Sequence, residues 1–404
     1  MPRLPLRSAR RGSISLFAAA LLLGGAACKD EPAPKPAPAP TPSAPAPAPA
    51  ARPATGAEPA PVVPALSGLD LEAFLEDHVR RWALKDPKNP WALAHALPIT
   101  GPEVELADGQ TLLEAILANA SWRTEKGRTF PAFVGKAPDG TPREPHRNLT
   151  IAALYLAGVD PETAFTIDDE PATVGEIYRG ALWLFEEPKD GHFGPDAWTL
   201  SAMAVAPGKP EKLINLRGVT VKVRDLPARA AEDFETQNAF LHQVRASGEP
   251  LVKQRQGVFS EPCGGWHYYE GLARWLPDKH AGKKVRPILQ RITELSAFRI
   301  RAEAELYDRT HERAPAHLQR LLWIQELKFF GHYLEAMSIG RDGGIAVRPE
   351  DVDFARRRLH QAIEKLRELK AFEEMEQVNA ERHQSYLDLI GDSSHALQGL
   401  RAWR

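Results

Sequence analysis

A short unit led by an aromatic residue recurs along this chain, and its spacing limits the possible folds more than any other feature. The clearest copies begin at His332 and His395; each has a leucine two places on and a small residue four places on. Weaker copies begin at His95, His146, Trp198 and His267. Successive lead residues are 51 to 69 positions apart, a period that predicts stacked supersecondary units, here helical hairpins.

Helical patterns dominate residues 68–404. Leu69–Leu84 and Thr173–Phe185 each place apolar residues on one helix face, and further helices are predicted at 112–117, 285–309, 314–338, 349–369 and 393–403. Only Leu213–Leu226 alternates as strands do, which predicts a small β-hairpin insertion. We predict an all-α fold, an α/α toroid of about six helical hairpins in which six inner helices line a cavity. A right-handed solenoid of hairpins is the alternative.

The N-terminal residues predict export and a lipid anchor. Residues 1–28 combine four arginines with an apolar run that is too short for a permanent membrane span, and small residues precede Cys28. This arrangement resembles a bacterial lipobox, so Cys28 is the expected lipidation site; an ordinary cleaved signal is the alternative. Residues 29–67, rich in alternating proline and alanine, predict a disordered tether. A single domain at 68–404 would then be held to a membrane in the cell envelope, on its periplasmic or outer-membrane face.

The charge balance and the missing motifs exclude several functions. Residues 1–27 hold four of the 51 basic residues and no acid, so the mature chain would carry 47 basic and 53 acidic side chains. This net negative charge argues against a nucleic-acid partner. The sequence has no phosphate-binding loop, no dinucleotide-binding glycine motif and no nucleophile elbow.

The segment from Glu261 to His267 is the most specific local feature. Once Cys28 is lipidated, Cys263 has no disulfide partner within the chain. Three roles remain open for it: an inert buried thiol, a metal ligand, or a nucleophile whose pKa is lowered by the following helix N-terminus and His267. Zinc is the candidate cofactor, because Cys263, His267 and His332 would supply three ligands if the fold brings them together.

The other histidines suggest a lined cavity. His395 is expected in the first turn of a helix capped by Asp392 or Ser393, and His146 at another helix start; both positions favour neutral histidine. Gly331 is expected to leave room for a ligand beside His332. The candidate catalytic residues are Cys263, His267, His332 and Glu335, with Glu335 or a histidine as general acid or base. The candidate cavity-lining residues are His95, Glu144, His146, Trp198 and His395.

The order of these segments resembles a family of exported bacterial proteins with no established activity, which shows MH, EGH, SWT, CGGTH, TGHxLEW and HALxAL elements in this order. The resemblance covers roughly residues 88–404, and the chain departs from the pattern at Pro145, Trp266 and Ala336-Met337. The family is similar to the α/α-toroid group of prenyltransferase β-subunits, terpene cyclases, lanthipeptide cyclases and polysaccharide lyases. Matching segments are Trp91–Leu97, Glu144–His146, Asp196–Leu200, Cys263–His267, Gly331–Glu335 and Ser394–Leu397.

Some members of that family are labelled as activators of ADP-ribosylation-factor GTPases. We do not expect a GTPase partner here, because such activators use a four-cysteine zinc finger and this chain has two cysteines. Export would also separate the chain from any cytosolic GTPase.

Two functions remain open. One is an envelope enzyme that acts on a polymeric or amphipathic substrate in a cavity lined by histidine and cysteine. The other is a non-catalytic binding or scaffold lipoprotein whose histidines are structural hydrogen-bonding groups. The two differ in whether the six lead residues share one solvent-filled cavity or belong to six separate cores, so the sequence does not decide whether the protein is an enzyme.

Overall fold

The structure is a computed structural model that describes residues 68–135, 144, 146–254 and 256–404. The described chain is mainly helical, as predicted, whereas the predicted signal, Cys28 and tether lie outside it.

The helices are α1 (Gly68–Ala83), α2 (Pro90–Thr100), α3 (Leu112–Leu117), α4 (Leu149–Leu156), α5 (Val174–Leu184), α6 (Ala197–Val205), α7 (Leu226–Gln237), α8 (Ala239–Ser247), α9 (Trp266–Ala273), α10 (Ala281–His311), α11 (Ala316–Asp342), α12 (Pro349–Glu368), α13 (Met375–Glu381) and α14 (His383–Ala402). The strands are β1 (Ala120–Glu125), β2 (Arg128–Phe133), β3 (Ala164–Ile167), β4 (Glu170–Thr173), β5 (Lys212–Ile214) and β6 (Thr220–Lys222).

Six helices contact one another in a closed cycle. Helix α2 packs on α4, α4 on α6, α6 on α9, α9 on α11 and α11 on α14, and α14 returns to α2. Every residue of α9 is buried, and so is every residue of α14 from Ser385 to Leu397. A helix that is buried on all sides must be enclosed by other elements. These six helices therefore form an inner layer.

A second set of helices alternates with the inner layer along the chain. Each of α1, α3, α5, α7, α10 and α12 precedes an inner helix, and α12 packs on both α11 and α10. Helix α12 buries Val352, Ala355 and Leu359 at helical spacing while Asp353 and Arg357 are exposed. This one-sided burial is typical of a helix at the surface of a domain. The described residues thus form paired helices in two layers.

The recurring sequence unit coincides with the inner layer. His95 lies in α2, Trp198 in α6 and His267 in α9, while His332 and His395 lie in α11 and α14. His146 lies three residues before the start of α4. The period in the sequence therefore reports the inner helix of each pair, because that is where equivalent positions face a shared interior.

The predicted start of the last helix is wrong. Helix α14 begins at His383, ten residues before the predicted Ser393, so His395 lies in its middle. Asp392 and Ser393 look like a cap in the sequence, but they are buried inside the helix, where Ser394 donates a hydrogen bond to the carbonyl of His95 (2.6 Å). Helix α4 begins at Leu149, after His146, because the intervening Asn148 adopts a left-handed conformation.

The strands form three antiparallel hairpins, of which the sequence predicted one. The hairpin expected within Leu213–Leu226 is confirmed as β5–β6, although its last residues belong to a 3-10 turn and α7. The hairpins β1–β2 and β3–β4 were not predicted. Their two-residue turns, Lys126-Gly127 and Asp168-Asp169, have positive φ angles, as hairpin turns require. The strands themselves are short and mixed in composition, so their alternation is weak.

Glycines allow the two longest inner helices to approach closely. A Cβ atom at Gly331 would lie 3.1 Å from backbone atoms of Ala396, and one at Gly399 would lie 2.7 Å from the Cβ of Leu334. Gly331 therefore faces α14. The expectation that it leaves room for a ligand beside His332 is wrong, because the neighbouring helix fills that space.

Candidate functional site

The structure brings the side chains of all six lead residues into one cluster. The ring of His267 lies 4.7 Å from His332, 5.1 Å from His395, 4.9 Å from Trp198 and 5.3 Å from His146, measured between centroids. The rings of His332 and His395 are 3.9 Å apart, and His95 lies 5.3 Å from His395. The six inner helices thus contribute to a single centre on the axis of the closed cycle.

This centre is largely closed to solvent. His332 is 1% exposed, and His95, His267 and His395 are buried as well. His146 and Trp198 are partly buried and lie at its edge. The six residues therefore belong neither to six separate cores nor to an open, water-filled cavity, but to one shared polar interior. A buried polar cluster of this size needs partners for its polar atoms.

A tight turn places Cys263 beside this centre. Residues Cys263, Gly264 and Gly265 have φ angles of 51°, 62° and 81° within the 3-10 turn before α9. Glycine adopts this conformation freely, whereas a cysteine in it is strained and persists only where its surroundings hold it. The sulfur of Cys263 and one nitrogen each of His267 and His332 lie within 4.8 Å of one another. The three candidate zinc ligands are thus brought together.

The hydrogen bonds of the histidines determine which nitrogen is available. The Nδ1 atoms of His332 and His95 bond to carbonyl oxygens one turn earlier, at 2.8 Å and 2.6 Å, so each must carry its proton there. Nδ1 of His395 bonds to Glu335 (2.5 Å). Among the described residues no partner is found for Nε2 of His332 and His395 or for either nitrogen of His267. His332 and His395 thus have one nitrogen anchored and the other free, as histidines that bind metals do, whereas His267 has both nitrogens free for a ligand.

Carboxylates accompany the histidines on three neighbouring inner helices. Glu270 follows His267 by three residues, and Glu335 follows His332 by three; on α14, Asp392 precedes His395 by three. Residues three apart lie on one helix face, so each helix presents a histidine and a carboxylate to the interior. Glu335 was a predicted site residue and Glu270 was not, although both occupy the fourth position of their unit.

A partly buried lysine links the centre to the surface. Lys328 Nζ lies 3.0 Å from Asp388 and 3.8 Å from Asp392. Burial lowers the pKa of Lys328, but the two carboxylates outweigh it and the pKa is raised. Asp388 lines a depression at the surface end of α11 and α14 together with Gln325, Arg382, Gln384 and Ser385. This chain of charges could not be predicted from the sequence, since it depends on the packing of α11 against α14.

Four histidines of the centre are held in the neutral form. Burial lowers the pKa of His95 to about 3 and that of His146 to about 4, and the positive charge on neighbouring groups adds to the effect. Burial also keeps the pKa values of His267 and His332 well below their usual range. Neutral imidazole is the form that binds metals.

The thiol of Cys263 is not activated as a nucleophile. Burial raises its pKa well above the usual value, although the charge of Lys328 acts in the opposite direction. The expected lowering of this pKa is therefore wrong, because the neutral His267 supplies no positive charge and desolvation dominates. A cation bound at the sulfur would displace the proton, as metals do at coordinating thiols.

Glu144, a predicted cavity-lining residue, serves a local structural role. Its Oε1 accepts a hydrogen bond from the amide of Thr150 (2.9 Å) and so caps the first turn of α4. Burial raises the pKa of Glu144 to about 7. Its carboxylate therefore stabilises the helix that follows His146.

A charged network outside the centre supports the cysteine turn. His192 bonds through Nε2 to Glu261 (2.7 Å) and through Nδ1 to Asp233 (3.2 Å). Asp233 also accepts hydrogen bonds from the amide of Phe193 (3.0 Å) and the hydroxyl of Tyr268 (2.8 Å). Glu261 lies two residues before Cys263, and Tyr268 directly follows His267. This network therefore fixes both ends of the segment that carries two candidate ligands.

We expect His192→Gln to destabilise the protein most at acidic to neutral pH. Hydrogen bonds to Asp233 and Glu261 raise the pKa of His192 to about 10. A pKa raised in the folded state gives stability that is complete below the unfolded value, about 6.5, and lost as the pH rises toward 10. Melting temperatures measured between pH 5.5 and 10 should show the deficit shrinking with pH. The exposed His317→Gln serves as control, and a deficit independent of pH would contradict the expectation.

Comparisons with models of protein families, with characterised proteins and with solved structures find no match. The resemblance to a family of exported proteins and to the toroid group therefore remains a prediction. Among the residues that the structure describes, no helix is both long and apolar enough to cross a membrane.

Proposed function

We propose that this protein is a membrane-tethered lipoprotein of the cell envelope, in which an α/α toroid encloses a transition-metal centre. The observation that carries the proposal is the approach of Cys263, His267 and His332, whose ligand atoms lie within 4.8 Å of one another. Zinc is the metal that this donor set fits best, since thiolate and imidazole are its preferred ligands.

The closed cycle of inner helices supports the toroid. Six inner helices alternate with outer helices along the chain, and the last inner helix contacts the first. A solenoid of the same hairpins would leave its two ends apart. The contact between α14 and α2 therefore favours the toroid over the solenoid.

The spacing of the three donor atoms suits a metal that binds with small adjustments. With Zn–S near 2.3 Å and Zn–N near 2.0–2.1 Å, one sulfur and two nitrogens in tetrahedral positions lie about 3.3–3.6 Å apart, so a closure of at most about 1.5 Å suffices. Nδ1 of His332 is fixed by the carbonyl of Lys328, which orients Nε2 for binding. Three protein ligands leave a fourth position for water or substrate, as in catalytic zinc sites.

These features favour an enzyme over a scaffold. The metal would act as a Lewis acid, and the route from Asp388 through Lys328 to Asp392 would connect the centre with the surface depression. Cys263 would serve as a ligand, and Glu335 would orient His395. The proposed substrate is a polymeric or amphipathic envelope molecule, of which a polar segment would enter at the partly buried edge formed by His146 and Trp198, because the rest of the centre is closed to solvent.

One observation favours the second candidate function, a scaffold with structural histidines. His95 and His332 are buried and bonded to carbonyl oxygens of their own helices, as purely structural histidines are. His267 does not fit this account, because both of its nitrogens lack a partner among the described residues.

Metal analysis of the full-length protein tests the proposal. Purified wild-type protein should carry at least one zinc ion per chain, and both Cys263→Ser and His267→Ala should weaken zinc binding by at least about 100-fold, since each removes a ligand. His317→Ala is the matched control, because His317 is exposed on the same helix as His332. A wild-type protein that neither contains nor takes up zinc, cobalt or iron would favour the scaffold.

A further inference from the structure

We propose that Glu270, Glu335 and His395 form a second cation site directly beside the first, so that the toroid holds a two-metal centre. One oxygen of each carboxylate and one ring nitrogen of His395 lie within 4.8 Å of one another. The proposal rests on the proposed function for its neighbouring metal, but its ligands are separate from Cys263, His267 and His332.

The burial of Glu270 is the observation that points to a ligand. Glu270 is 2% exposed, and neither of its carboxylate oxygens has a hydrogen-bond partner among the described residues. Glu335 is also buried and uses one oxygen to orient His395. Arg274 supplies one positive charge near the two carboxylates but forms no ion pair with either at 4.0 Å or less in the described chain. Two buried carboxylates without paired cations are costly, and a divalent ion between them removes that cost.

The repeated pairing of histidine and carboxylate gives the site its geometry. His267 and Glu270 lie on one face of α9, and His332 and Glu335 on one face of α11. Helical proteins with two-metal carboxylate centres also place a glutamate and a histidine three residues apart on each of two helices, but with the glutamate first, whereas here the histidine comes first. The histidines of these pairs would hold the first ion, and the glutamates would hold the second.

The two sites touch. The rings of His332, a ligand of the first site, and His395, a ligand of the second, are 3.9 Å apart. Their chemistry differs, because the first site offers a thiolate and two imidazoles while the second offers two carboxylates and one imidazole. The second site is therefore expected to accept harder ions such as Mn²⁺ or Fe²⁺ as well as zinc.

Metal stoichiometry in the full-length protein tests the second site. Wild-type protein titrated with Zn²⁺ should bind two ions per chain, and Glu270→Gln should bind one, with the binding to Cys263 retained. Glutamine has nearly the same shape as glutamate, and Glu270 has no hydrogen-bond partner in the described chain to lose, so the variant is expected to fold. Unchanged far-ultraviolet circular dichroism and melting temperature will establish that it does.

The same titration separates this proposal from the proposed function. If Cys263→Ser lowers the stoichiometry of the wild type from one to zero and Glu270→Gln changes nothing, the first site stands and the second does not exist. If Glu270→Gln removes one ion while Cys263→Ser removes none, the second site stands and the first is wrong. With Mn²⁺, two ions in one centre should also give an exchange-coupled paramagnetic resonance spectrum that Glu270→Gln converts to that of an isolated ion.

Discussion

Glu303→Ala is expected to lower the free energy of unfolding by about 3–5 kcal/mol, which is a large share of the stability of a single domain. Glu303 is fully buried in α10, where it accepts a hydrogen bond from Arg299 Nε (2.7 Å) and pairs with Lys253. Removing this carboxylate leaves the buried Arg299 and the partly buried Lys253 without their counter-charge, and desolvation then opposes folding. Equilibrium unfolding in urea measures the loss.

The same substitution should also weaken metal binding, because it disturbs the turn that carries Cys263. The guanidinium of Arg299 lies 4.7 Å from the ring of Trp266 and beside Gly264, where a Cβ atom would come within 2.6 Å of Nη2. Arg299 thus packs against the turn that places Cys263. We expect zinc affinity to fall by about 10-fold in Glu303→Ala, as it does when groups that position metal ligands are removed.

Glu305→Ala is the matched control for this prediction. Glu305 lies two residues later on the same helix, its side chain is 72% exposed, and its nearest basic partner, Arg309, is 3.9 Å away. Exposed substitutions of this kind change stability by less than about 0.5 kcal/mol. A loss of less than about 1 kcal/mol in Glu303→Ala would show that the buried pair contributes no more than a surface pair.

The sequence predicted the members of the centre because their positions repeat. A histidine or tryptophan in or just before each inner helix recurs every 51 to 69 residues, and His332 and His395 share enough of their surroundings to define the unit. Stacked helical pairs place equivalent positions around one interior. The convergence of Cys263, His267 and His332 followed from the same argument, without knowledge of any single contact.

The pKa values of the groups in the centre could not be predicted from the sequence, because they depend on burial. Cys263 beside a helix start suggests an activated thiol, yet the surrounding helices exclude water and raise its pKa. Asp392 and Ser393 have the composition of a helix cap, and only the packing of α14 against α11 places them inside a helix. Glu270 could have been found, since it repeats the position of Glu335 in the preceding unit.

Gly399→Val is expected to lower the free energy of unfolding by about 3 kcal/mol or more, at the upper end of the range for overpacked cores. A Cβ atom at Gly399 would lie 2.7 Å from Leu334 Cβ and 2.9 Å from the backbone nitrogen of Glu335. A backbone atom cannot rotate aside, so α14 must move away from α11. His395 lies one turn earlier on α14 and bonds to Glu335 (2.5 Å), so the same movement separates this pair and weakens metal binding.

Two further variants isolate the contact as the cause. Alanine normally stabilises a helix interior by about 1 kcal/mol relative to glycine, so a net loss in Gly399→Ala would come from the contact with α11 alone. Gln398→Val places the same branched side chain at the adjacent, partly exposed position, whose hydrogen bonds stay within its own helix. It should cost less than about 1 kcal/mol, because only helix propensity changes there. Equal losses at positions 398 and 399 would mean that valine disturbs the helix itself, and the close approach of α11 and α14 would then not govern the stability of the centre.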